Sequence, residues 1–201
     1  MKTRIMTTSK AKTAALIMAF GVFLLSCSRN QSDNNEAGKV EKVSAPAMDL
    51  HAAAYMGDLK ACEQHVKAGT DLNAKDAYGS TPLNVSIVFG RTDAAIYLIN
   101  AGADLNLQNA DGSTPLHTAA FFGRIEIVKA LIENEVDFSI RNNYGSTAYE
   151  TVSGSFEDVK GIYDQVSKDL GALGLKLDYE YLKEVRPKIA ALLKQAAGSK
   201  S

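Results

Sequence analysis

Gly79-Ser80-Thr81-Pro82-Leu83 returns 33 residues later as Gly112-Ser113-Thr114-Pro115-Leu116, and again, degraded, as Gly145-Ser146-Thr147-Ala148-Tyr149. Gly57, Gly90 and Gly123 keep the same interval, as do Asp71, Asp104 and Asp137. A fixed period of this size specifies a solenoid of stacked supersecondary units. Each unit touches only its neighbours, and such arrays usually bind rather than catalyse.

One period reads as turn, helix, turn, helix. Thr114 can cap free N–H groups, and Pro115 fits the first helical turn, where its missing N–H would have been unpaired. Leu116, Ala119 and Ala120 give the first helix a small apolar face, and Gly123 ends it in a left-handed conformation. A second helix is predicted over about 126–134, with Ile127, Val128, Leu131 and Ile132 on one side. Val136-Asp137-Phe138-Ser139 leads out to the next turn.

Thr114-Pro115-Leu116-His117-Thr118-Ala119 resembles the ankyrin repeat, whose core reads Thr-Pro-Leu-His-x-Ala. The preceding copy has Asn84 at the His position and Ser86 at the Ala position; the first keeps Leu50-His51-Ala52-Ala53. The family's Gly-Ala-Asp-x-Asn turn appears as Gly102-Ala103-Asp104-Leu105-Asn106 and as Gly69-Thr70-Asp71-Leu72-Asn73, whereas the third copy puts Glu135 at the Gly position. A non-Gly residue in a left-handed turn costs about 1 kcal/mol, so strain is expected there. The resemblance covers about 47–166. It implies an all-α ankyrin-repeat solenoid over 48–170, three repeats and a partial fourth, with a C-terminal capping helix in 171–201.

Residues 1–26 stand apart. Lys2, Arg4, Lys10 and Lys12 precede a short apolar run from Ala14 to Leu25, too short to span a bilayer as a helix. Leu24-Leu25-Ser26-Cys27 resembles the lipobox of bacterial lipoproteins, which implies cleavage before Cys27 and lipidation of that residue. The alternatives are an uncleaved anchor or a plain signal peptide with a chance Cys. Residues 27–47 are rich in Ser, Asn, Gln, Glu and Lys and read as a flexible tether with an r.m.s. span of roughly 25 Å.

Near the C-terminus, Ser155 can cap a helix whose one face carries Val159, Ile162, Tyr163, Val166 and Leu170. This helix is assigned as the long second helix of the shortened fourth repeat. Gly171 and Gly174 break it. Asp178 can cap a last helix with Leu182, Val185, Ile189 and Leu192 on one side, kinked or split at Pro187. An array exposes apolar surface at its last repeat, so the bland role of residues 175–197 is a cap; the sharper one is a partner-binding helix.

The formal charge is −1, and the first 26 residues hold four of the 22 Lys and Arg and none of the 23 Asp and Glu. The remainder is therefore acidic, which argues against nucleic acid and gives no electrostatic reason to lie on an anionic membrane. With Cys27 committed to lipid, Cys62 is alone. It aligns with Ala95 and Val128 and reads as a small buried hydrophobe.

No residue set carries a reaction. His51 and His117 share the helix-opening position two repeats apart, roughly 20 Å at about 10 Å per layer, too far to share a metal. Hydrogen bonds to the adjoining turn account for them, and His65 reads as a satisfied histidine of the end repeat. Asp71, Asp104 and Asp137 are explained by Asx turns. No phosphate-cradling Gly loop, nucleophile elbow or His-Glu-x-x-His is present. No catalytic residue, cofactor, metal or small-molecule substrate is expected.

A candidate partner-binding strip precedes the repeat glycines: Tyr55-Met56, Val88-Phe89 and Phe121-Phe122. The resemblance puts these positions on the concave side, with Tyr78 and Tyr144 at the turn tips. Clustered exposed aromatics mark interfaces, although one of each pair could instead pack on the neighbouring repeat. The expectation is a non-enzymatic protein-binding module, lipid-anchored in a bacterial envelope at the outer membrane or the periplasmic face of the inner one. An immunity or inhibitor protein occluding a toxin or enzyme, or an accessory factor to a periplasmic redox enzyme, are the alternatives.

Overall fold

The computed structural model describes residues 44–134 and 136–199, which form nine helices and no strand. α1 (Leu50–Met56), α3 (Pro82–Val88), α5 (Pro115–Phe121) and α7 (Ala148–Ser153) are the first helices of four layers, and they stack in chain order. α2 (Leu59–Lys67), α4 (Thr92–Asn100) and α6 (Ile125–Glu133) form the second row. Leu83, Leu98, Leu116 and Leu131 are fully buried between the layers.

The start and stop signals operate as chemistry predicts. Thr81, Thr114 and Thr147 each accept the backbone N–H three residues on, and Pro82 and Pro115 occupy the first turns. Gly57, Gly90 and Gly123 follow the first helices with φ of 73°, 66° and 68°. The left-handed φ is what demands glycine at Gly90, where a Cβ would also press on the movable end of the Arg124 side chain at 2.9 Å.

The hairpin turns zip the layers together. The Ala110 N–H donates to the Tyr78 carbonyl at 3.1 Å, and the Asn143 N–H to the Asp111 carbonyl at 2.9 Å. Asn73 and Asn106 side chains accept from the Asp104 and Asp137 N–H groups of the following layer. A second set of ties lies at the other ends of the first helices. Arg91 Nε donates to the Tyr55 carbonyl at 2.8 Å, and Arg124 reaches the Ile87 and Val88 carbonyls.

The fourth layer departs from the sequence-based assignment. α8 (Phe156–Gly171) is not its second helix. That place is taken by α9 (Tyr179–Gly198), which packs on α6 and α7. α9 also repeats the arginine tie in another form: the Tyr181 hydroxyl donates to the Gly123 carbonyl at 3.1 Å. The reason is apolar area. α9 buries Leu182, Val185, Ile189 and Leu193, whereas α8 buries only Phe156 and Tyr163 and leaves Ile162 exposed. α8 is thus an insertion between the two helices of the last layer, and α9 closes the stack.

Two details of α9 also differ. The buried seam continues from Ile189 to Leu193, one turn on, and not to Leu192, which is half-buried. The helix includes Pro187 without splitting. Pro187 lies on the exposed side of the helix.

Candidate interaction surface

The strip residues do not share one environment. Met56 is 59% exposed, while Tyr55, Val88, Phe89 and Phe121 are half-buried and Phe122 is buried. Tyr55 meets Phe89 edge-on at 4.7 Å between ring centroids, bridging layers one and two. Phe121 meets Phe122 edge-on at 5.0 Å within the third layer.

Part of this strip, at Phe121 and Tyr55, is already engaged by the chain itself. α8 leaves the fourth layer and lays Tyr163 flat on Phe121, with centroids 4.4 Å apart. The Tyr163 hydroxyl donates to the Phe121 carbonyl at 2.6 Å. Phe156 stacks on the other side of Tyr163 at 5.5 Å. Just past the C-terminus of α8, the Leu173 carbonyl accepts from the Tyr55 hydroxyl at 2.7 Å. The insertion therefore runs from layer four across layer three to layer one. Phe122 belongs to the core, and Phe121 is part of an internal ring stack, where an open strip was expected.

Tyr78 and Tyr144 remain outside. They are 77% and 78% exposed, on turns that belong to one hydrogen-bonded ladder with Asp111 between them.

Arg186 of α9 is the residue that sequence reasoning missed. It is 2% exposed. Its guanidinium donates to the Tyr163 hydroxyl at 2.8 Å and to the Thr151 carbonyl at 3.2 Å, while Nε has no partner. No carboxylate pairs with it among the described residues. Burial pushes the Tyr163 hydroxyl pKa up, against a smaller opposing pull from Arg186. The available signal was a basic residue four positions after Leu182, at the edge of an otherwise apolar seam.

The remaining polar candidates are structural. His51 and His117 donate from Nε2 to the Ser80 and Ser146 carbonyls of the adjoining turn. His65 bridges Met48 and Thr70. Asp71, Asp104 and Asp137 each accept from the N–H two residues on, as Asx turns do. Cys62 is fully buried, and burial raises its thiol pKa. No group of His, Cys, Asp and Glu among the described residues is arranged to hold a metal.

Residues 50–148 match the family model for ankyrin repeats, in three copies. The stack is an ankyrin-repeat array. No curated protein matches the chain. Ankyrin repeats typically act as protein-binding scaffolds, and the matched region spans the first three layers and reaches the start of α7. Cys27, the leader and most of the tether, and Glu135, lie outside the described residues. No described helix is long and apolar enough to cross a membrane.

Proposed function

We propose that this chain is a non-enzymatic protein-binding module of a bacterial cell envelope, held there by lipid on Cys27. The observation that carries the binding role is the ankyrin array with Tyr78 and Tyr144 presented to solvent along one ladder, two layers and so roughly 20 Å apart. Large rigid rings give contact area at low entropic cost, which is why aromatics dominate interface hot spots. The anchoring role is supported by the basic stretch, the apolar run and Leu24-Leu25-Ser26-Cys27. Two or more acyl chains hold a protein stably at a membrane, where one does so only marginally.

Two measurements test this. The wild type partitions into membranes and into detergent phase, and Cys27→Ala does not; identical soluble behaviour of both removes the anchor. Crosslinked affinity purification of the full chain from its own envelope yields a protein in stoichiometric amount. Recovery of the chain alone removes the binding role.

A further inference from the structure

We infer that α8 is a detachable occupant of the array's own binding strip, and that a partner docks there by presenting a helix with two aromatic rings seven residues apart. This rests on the binding role proposed above and adds to the exposed Tyr78–Tyr144 ladder a second, controlled site at Phe121 and Tyr55. Phe156 and Tyr163 are the two buried residues of α8, and their spacing puts them two turns apart on one face. Together with Phe121 they form a continuous stack of three rings. A helix carrying the same pair would make the same contacts.

Three features make α8 separable from the rest. First, the fourth layer has both of its helices without it: α9 packs on α6 and α7 and makes the tie to Gly123, and of its buried apolar seam only Leu182 shares a cluster with the α8 rings. Second, glycine stands at both ends: Gly154 before the helix, Gly171 as its last residue, and Gly174 after it at φ 88°. Gly161 sits in the helix interior, where glycine weakens a helix. Third, the closed state buries Arg186 without a counter-ion and leaves Nε unpaired. A buried cation so placed gives up hydration that it regains when α8 lifts away.

Holding α8 down are the apolar cluster of Phe156 and Tyr163 with Leu182, the two Tyr163 bonds, the Tyr55–Leu173 bond, and surface links to α9. Those links are the Tyr179 hydroxyl on Asp164 and the Lys183–Glu157 pair. Being tethered, α8 competes at a high effective concentration, so a partner binds only with a better-matched helix or when α8 is weakened.

Hydrogen exchange on the full-length wild type tests the opening directly. The α8 amides should exchange at least tenfold faster than those of α3 to α6 and of α9. Equal protection means that α8 leaves only on global unfolding, which overturns the proposal. The second arm uses a labelled synthetic peptide of residues 154–174 and the full-length variant Phe156→Ala with Tyr163→Ala. The peptide should bind the variant at least tenfold more tightly than the wild type, and a peptide lacking both rings should bind neither. Loss of protection in α3 to α6 of the variant would make the rings core. No preference for the variant would remove the strip as a helix site. Either result overturns the proposal and leaves the partner-capture test of the binding role untouched.

Discussion

At position 84 the second repeat carries Asn where the first and third carry His51 and His117. The difference is physical. His117 reaches across to the Ser146 carbonyl from Nε2, while Nδ1 receives the Thr114 N–H and lies 2.8 Å from its hydroxyl. Asn84 occupies the equivalent buried place, but both its side-chain O and N lack any partner. An unpaired buried polar group costs about 1–3 kcal/mol. Asn84→His should therefore raise the melting temperature, and His117→Asn should lower it by a comparable free energy. A thermal melt of each variant at pH 7 checks this, and a fall for Asn84→His would show that the second layer has no room for the ring. The acid limb gives a further reading. Burial lowers the His117 pKa, against a weaker raising effect from Ser146. With the folded value below the unfolded one, its contribution is complete above the unfolded pKa of about 6.5 and is lost as pH falls through the folded value. Asn84→His should steepen the loss of stability between pH 7 and 5.

Among the helices, those with strong local punctuation were legible from sequence, and those defined by competition were not. Thr-Pro starts place the first residues of α3 and α5, and Gly90 and Gly123 stand two residues past their ends, because capping and left-handed turns are local chemistry. α6 begins at Ile125, one residue before its expected start. The exchange of roles between α8 and α9 was hidden. Both are amphipathic and capped, by Ser155 and Asp178, and only the relative apolar area decides which joins the second row. The seam on α9 gives a sharp test. Leu193→Ala should cost about 2–5 kcal/mol, as truncation of a fully buried leucine does. Leu192→Ala, one residue away and half-buried, should cost far less. Chemical denaturation of the two single variants reads the difference, and equal losses would contradict the assigned face.

For the whole molecule, the expected strip recurs at equivalent positions of the layers, but it is not one open surface: Phe122 is buried and Phe121 lies under Tyr163. Repetition identifies equivalent residues. It carries no information about a non-repeating segment laid over them, and α8 is such a segment. Tyr78 and Tyr144 escaped this because they project from turns that no other described residues cover. Tyr78→Ala with Tyr144→Ala should leave the unfolding free energy within about 1 kcal/mol of wild type, as exposed sites usually do. The same pair should reduce capture of the envelope partner at least tenfold. Retained capture would move recognition elsewhere on the array.

The bond between Tyr55 and Leu173 also sets a length. Repeat arrays commonly tolerate the gain or loss of a unit, since each layer meets only its neighbours. This array is spanned by a helix of 16 residues, about 24 Å long at 1.5 Å per residue. One added repeat would carry the first layer roughly 10 Å beyond its reach, and one fewer would leave it overhanging. α8 acts as a ruler, and an array of this chain with a duplicated or deleted repeat could keep its core yet lose the fit between its two ends.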